Sequence, residues 1–290
     1  LLEKKHFLVF NEEKYAAIFN PKSSLLDSAH LGNFHKQLGQ TLFIEKRVDP
    51  SKWWVNQKFS PDYSHLNNTL YSAVQGDFLT SFFPARFNSS HFVVDVGCGI
   101  GFYAKLMGKS GARVLGIDPS KEYIEIARQN APENVEFKVS KIGEASSLDW
   151  LAPHSADFVF MSDALLFYFV SPDPKQKPFL DALFSGIKKI LKPGGRFFSM
   201  EPHGVFWLRP WLGEEKRPFT VLTEYRNKRF NVTPNYNELI NAYLKGGFKL
   251  IDFKELYANP GFAKTDSRAA CFANEFPLWW FFELEPDKSD

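Results

Sequence analysis

Two periodicities alternate along the middle of this chain. Short apolar runs of strand length stand at 93–96, Arg113–Asp118, Val135–Val139, Ala156–Met161 and Arg196–Met200. They are bounded by turn residues, the mark of buried strands. Between them lie stretches whose apolar residues recur three and four apart, at Phe102–Met107, Lys121–Asn130 and 178–191, and these predict helices. Ser120 precedes the second stretch as an N-cap, its short hydroxyl suited to an unpaired helix N–H. Later, Asn235–Lys245, Gly246-Gly247 and Phe248–Tyr257 predict one more helix and a sixth strand. Strands alternating with helices imply an α/β fold, a doubly wound and mostly parallel sheet.

The pattern also divides the chain. Residues 1–90, with turn signals at Asn20-Pro21, Asp49-Pro50 and Ser60-Pro61, are expected to form a mainly helical cap. Residues 91–290 hold the sheet, interrupted after strand five by a lid insertion over 204–234 that carries Pro210, Gly213, Pro218 and Pro234. The segment after residue 257, with Phe276, Trp279, Trp280, Phe281 and Phe282, reads as an aromatic C-terminal tail.

The first strand runs into Asp95-Val96-Gly97-Cys98-Gly99-Ile100-Gly101. Glycine lacks Cβ, so three of them at a strand-to-helix turn let a ligand approach the main chain closely. A tight turn serving only helix–sheet packing would use glycine too. The spacing differs from the G-x-G-x-x-G of nicotinamide and flavin enzymes, whose third glycine comes one residue later. Twenty-three positions on, strand two ends in Asp118, where a carboxylate can accept both hydroxyls of a ribose. Leu191-Lys-Pro-Gly-Gly195 turns into strand five.

Taken in that order, these motifs resemble class I S-adenosylmethionine-dependent methyltransferases over about residues 91–257, and the resemblance implies a Rossmann-like core. It implies S-adenosyl-L-methionine as cofactor and S-adenosyl-L-homocysteine as product. Gly97, Cys98, Gly99 and Gly101 would approach the methionine portion, and Asp95 would hold the loop and the amino group. Asp118 would bind the ribose, followed by Pro119. Ile142 and Gly143 would flank the adenine, and Ser162, Asp163 and Phe167 would line the site after strand four. One position departs from the pattern: many relatives carry an adenine-binding acid where this chain has Lys141, which cannot accept a hydrogen bond. A backbone carbonyl or Glu144 would stand in.

Methyl transfer from a sulfonium needs alignment, and a base where the acceptor's pKa is high. Met200-Glu201-Pro202-His203-Gly204, at the end of strand five, supplies Glu201 and His203, with imidazole titrating near working pH. Both residues also suit plain pairing with lid groups. Tyr63 and His65 are the candidates from the cap. Asp163, Glu201 and His203 could together ligate a divalent metal, but no metal site is expected. Cys98 is read as a small residue filling the loop.

Composition narrows the acceptor. Net charge is +2, and no basic module with interleaved aromatics is present, so a nucleic-acid substrate is disfavoured. The Asn/Asp-Pro-Pro-Tyr run of amino-group methylases is replaced by Ser162-Asp-Ala-Leu165. No apolar run reaches transmembrane length, and two cysteines, Cys98 and Cys271, suit a reducing cytoplasm. Phe, Tyr and Trp number 31, 10 and 7. Most should pack cap against core, while those in the cap and lid could roof a planar substrate. The expectation is a small-molecule methyltransferase, acting on oxygen, in specialised metabolism. A carrier-tethered or protein-borne acceptor, and a non-catalytic partner protein, stay open. The chain opens Leu1-Leu2-Glu3 without an initiator methionine, which leaves room for a longer parent.

Overall fold

The computed structural model describes residues 70–141, 143–144, 147–169, 179–203, 236–257, 259 and 277–287. Tyr63, His65, Ile142, Cys271 and the expected lid lie outside them. The elements are α1 (Leu70–Arg86), β1 (Phe92–Val96), α2 (Phe102–Gly108), β2 (Arg113–Asp118), α3 (Lys121–Arg128), β3 (Val135–Val139) and β4 (Ala156–Ser162). There follow α4 (Leu166–Phe169), α5 (Leu180–Ile190), β5 (Leu191–Pro202), α6 (Tyr236–Lys245), β6 (Phe248–Leu256) and β7 (Trp279–Pro286).

The seven strands form one sheet in the order β3-β2-β1-β4-β5-β7-β6. Strands β1 to β5 run parallel, as near-continuous apolar runs buried on both faces should. Val94, Val96, Val159 and Phe197 face one side; Val93, Phe160, Phe198 and Met200 face the other. Helices α1, α2 and α3 cover the second side with Leu79, Phe83, Ala104, Met107, Ile124 and Ala127. Helices α5 and α6 cover the first with Leu183, Phe184, Ile187, Leu239 and Tyr243. Ser120 caps α3 as expected, its hydroxyl accepting from the Tyr123 N–H at 3.2 Å.

Two boundaries differ from the sequence reading. Strand β5 begins at Leu191, because Lys192–Gly195 is absorbed as an irregularity: pairing passes from Ala156↔Leu191 to Phe158↔Arg196. The aromatic tail is no tail. Residues 279–286 are β7, inserted antiparallel between β5 and β6, with Trp279, Trp280, Phe281 and Phe282 all buried. A strand covered on both faces needs consecutive apolar residues, which is why this run lacks amphipathic alternation.

Strand order reverses between β1 and β4, so the chain leaves β1 toward β2 on one side and returns to β4 on the other. At such a switch point the loops diverge and open a crevice outside the carboxyl ends of the strands. The glycine loop lies there.

Candidate functional site

The loop after β1 is pinned to β2. The N–H groups of Gly97 and Cys98 both donate to the Ile117 carbonyl, at 2.8 and 3.0 Å. Asp118 completes the clasp: one carboxylate oxygen accepts from the Gly99 N–H at 2.9 Å, the other from the Ser120 N–H at 2.8 Å. Each oxygen retains a further lone pair for a ligand hydroxyl. Gly97, Gly99 and Gly101 have φ of 76°, 54° and 80°, left-handed conformations that strain any side chain. Their surroundings separate their roles. A Cβ on Gly101 would lie 2.5 Å from the Phe137 ring, whereas one on Gly99 would meet no atom within 4 Å. Gly101 serves packing, and Gly99 borders open space.

Carboxyls gather round that space. Asp95 is 2 % exposed and Asp118 8 %. Burial, then the charge of Asp118, pushes Asp95 up to about 8, against a bond from the Ala104 N–H that opposes the shift. Asp95 Oδ2 has no hydrogen-bond partner among the described residues. Burial also raises Asp118 above the usual carboxylate range, opposed by its bonds from Ser120 and Gly99. Asp163 follows β4 with φ 55°, held by its N–H donating to the Met200 carbonyl at 2.8 Å. Burial and these carboxylates keep the Cys98 thiol and the Tyr103 phenol protonated. Cys98 therefore fills the loop and has no thiolate reactivity.

The structure thus brings Asp95, Gly97, Cys98, Gly99, Gly101, Asp118, Pro119, Ser162 and Asp163 to one crevice. Gly143 (φ 82°) lies beyond β3, its carbonyl accepting from the Phe179 N–H at 2.8 Å. Glu144, offered as a stand-in for the adenine acid, pairs with Lys141 at 3.2 Å. Phe167 falls in the short helix α4. Two residues that the sequence reading passed over are built into the same crevice. Gln75 of α1 donates from Nε2 to Ser162 Oγ, and the Tyr103 hydroxyl donates to Gln75 Oε1, each at 2.5 Å.

Glu201 and His203 sit on the α6 side of β5. Glu201 is 0 % exposed, and Ser199 Oγ donates to its Oε1 at 3.0 Å while accepting from the Tyr243 hydroxyl at 2.9 Å. Its carboxylate is enclosed between sheet and helix, because inward positions 199 and 201 share one face of the strand. His203 lies against the Trp280 ring with Nε2 3.3 Å from Glu255 Oε1 of β6. Burial lowers its pKa, and Glu255 partly restores it. Glu201 is thus bonded to Ser199, and His203 is paired with Glu255.

This is a doubly wound domain whose switch point carries a glycine loop and buried acids. Residues 94–199 match a family described as "Methyltransferase domain". A ubiquinone biosynthesis O-methyltransferase of Vibrio cholerae is 31 % identical over 175 residues, 57 % of this chain and 62 % of that protein. A ubiquinone/menaquinone biosynthesis C-methyltransferase of Rubrivivax gelatinosus is 26 % identical over 61 % of this chain and 70 % of its own length. Among solved structures, an S-adenosylmethionine-dependent methyltransferase from Mesorhizobium loti superposes with TM-score 0.53 at 20 % identity, covering 74 % of this chain and 99 % of that one. A putative one from Listeria monocytogenes gives 0.55 at 20 % identity, covering 74 % and 98 %. The chain therefore carries, over residues 94–199, a methyltransferase domain on a class I, Rossmann-like fold. It spans 62 % of the length of the Vibrio relative.

The crevice fits the cofactor of that class, S-adenosylmethionine. An unpartnered oxygen on Asp95 and the two neighbouring aspartates, Asp118 and Asp163, suit a ligand bearing sulfonium and ammonium charges. The open space over Gly99 gives its chain room against the backbone. Among the described residues no three His, Cys, Asp or Glu side chains form a metal site, and no helix is long and apolar enough to cross a membrane.

Proposed function

We propose that this protein transfers a methyl group from S-adenosylmethionine to a hydroxyl of a small aromatic molecule. The clasp of Gly99 by Asp118 beside buried Asp95 is the observation that carries the reading. It builds an acidic surface at the switch point of the sheet, where ligands of such folds bind. The cofactor supplies an activated, electrophilic methyl group. The chain has to hold it, exclude water and take a proton from the acceptor. Asp95 and Asp163 would hold the cationic end, the glycine loop the methionine backbone, and Asp118 the ribose.

His203 is the proposed base. Its Nε2 lies 3.3 Å from Glu255 Oε1, which orients the ring, and imidazole takes up a proton near working pH. Burial keeps the ring neutral at pH values where an exposed histidine would begin to protonate. Glu201, enclosed against Ser199, supports the strand from within. The oxygen acceptor rests on the name of the Vibrio relative, and the Rubrivivax name makes carbon the competing acceptor.

Methyl-labelled S-adenosylmethionine incubated with the full chain and a panel of phenols, catechols and hydroxyquinones tests this. A labelled methyl ether, with weaker or no turnover in His203→Ala at unchanged cofactor affinity, is expected. A product methylated on ring carbon would overturn the oxygen assignment. Failure of S-adenosylmethionine and S-adenosylhomocysteine to bind in calorimetry, with NADH as control, would overturn the whole reading.

A further inference from the structure

Helix α1 lies outside the alternating core, yet one of its side chains is built into the crevice. Its inward stripe runs Gln75, Leu79, Phe83 at a spacing of four, each 4 % exposed or less. Leu79 and Phe83 are what such a stripe needs against a sheet. Gln75 breaks it where the helix passes the carboxyl end of β4, and a buried amide is costly unless both of its ends are satisfied. Both are: Oε1 accepts from Tyr103 at the start of α2, and Nε2 donates to Ser162 at the end of β4. An apolar residue would pack here without those bonds, so packing alone does not account for a glutamine.

We propose that Gln75 is a positioning residue for the cofactor, and this rests on the methyltransferase reading above. The amide sets the direction of a three-residue hydrogen-bond chain. Because Tyr103 gives its proton to Gln75, the phenol oxygen has lone pairs left to accept from a ligand N–H. Because Ser162 receives the Gln75 N–H, its own proton is left to donate to a ligand oxygen. The amino-acid end of the cofactor offers both partners, an ammonium and a carboxylate. Tyr103 also stands within the field of Asp95 and Asp163, where the ammonium belongs. The ring of Tyr103 packs against Phe83 and Phe160 with centroids 6.5 and 6.0 Å apart, so the hydroxyl has little freedom once Gln75 holds it. Helix α1 thereby fixes two groups of a site whose other parts all come from the sheet.

A double-mutant cycle on the full chain tests this, with S-adenosylmethionine affinity as the readout and melting temperature as a control. Gln75→Leu keeps the packing and removes the amide, and Tyr103→Phe keeps the ring and removes the hydroxyl. Each should weaken binding about tenfold, and the pair together should cost little more than either alone, because residues in one network do not act independently. Ser162→Ala in the Gln75→Leu background should behave in the same way. A purely structural glutamine would lower the melting temperature with affinity unchanged, or give losses that multiply, and either result overturns the proposal. If the wild-type chain itself fails to bind, the methyltransferase reading falls and this inference with it.

Discussion

The three loop glycines are alike in sequence and should be unlike in response to a single added methyl group. All three have positive φ, so Gly→Ala costs about 1–2 kcal/mol of backbone strain at each. At Gly101 the new Cβ would also lie 2.5 Å from Phe137 and 2.9 Å from Ala127, inside a packed interface. Overpacking adds about 1–3 kcal/mol there, for a total near ~3–4. At Gly99 the Cβ meets nothing within 4 Å, so strain is the whole penalty. At about 2–4 °C per kcal/mol in a protein of this size, Gly101→Ala should melt roughly 5 °C or more below Gly99→Ala. Affinity should fall in the reverse sense. The Gly99 methyl would project into the space reserved for the cofactor and weaken S-adenosylmethionine at least about tenfold, or 1.4 kcal/mol. Whatever fraction of Gly101→Ala remains folded should bind with smaller loss. Differential scanning fluorimetry and titration calorimetry on the same two preparations decide it. If Gly99→Ala bound the cofactor as tightly as wild type, the open space over Gly99 would not be the cofactor site.

The buried acids make cofactor binding depend on pH. With Asp95 raised to about 8 by burial and Asp118, the ligand-free protein holds a proton there at neutral pH. A bound cation favours the carboxylate, so binding should release up to one proton and weaken as pH falls below about 8. Calorimetry in buffers of different ionisation enthalpy reads that proton, and Asp95→Asn should abolish the buffer dependence. In the His203→Ala variant turnover should drop about 10²- to 10⁴-fold. Glu255→Gln removes the charge that raises the His203 pKa, so the acidic limb of its rate profile should move to lower pH; an unmoved limb would rule out His203 as the titrating group. Truncation before Leu278 should unfold the right half of the sheet, since β7 supplies every pairing between β5 and β6. Retention of a cooperative native melt by that truncation would contradict the strand order.

What the sequence disclosed, and what it hid, follows from how local each feature is. The glycine loop, Asp118 and the cap Ser120 lie within a few residues of the elements they terminate, so motif and spacing reveal them. The strand β7 has no such signal. Its consecutive aromatics are dictated by burial on both faces, between two strands more than twenty residues away in the chain, and nothing near residue 279 announces those neighbours. Glu201 shows the same dependence on distant neighbours. An acid next to a histidine at a strand end suggests a shared site, but a two-residue spacing puts 199, 201 and 203 on one face, where position 201 is closed over by α6 through Tyr243. Gln75 was invisible for the opposite reason. One polar residue in an apolar stripe is unremarkable until its partners, 28 and 87 positions away, are known.

The strand order also explains how binding and proton transfer come to be separated. The groups proposed to hold the cationic end and the ribose stand on β1, β2 or β4 or in the loops that follow them, with Tyr103 added from α2 and Gln75 from α1. The proposed base directly follows β5, with its Nε2 beside Glu255 of β6 and its ring against Trp280 of β7. The Asp163 N–H to Met200 carbonyl bond joins the two sets at the carboxyl end of β4. Asp163 is one of the three described residues outside glycine with positive φ, and its conformation is held by that bond. An acceptor lying over β4 and β5 would therefore reach the methyl group from one half of the sheet and lose its proton to the other. The antiparallel insertion of β7 spaces β6 one strand further out, with Glu255 of β6 beside His203. A base placed in this way can be tuned through Glu255 and Trp280 without altering any residue that binds the cofactor. Changes at Glu255 should accordingly move rates and pH profiles while leaving S-adenosylmethionine affinity where it was.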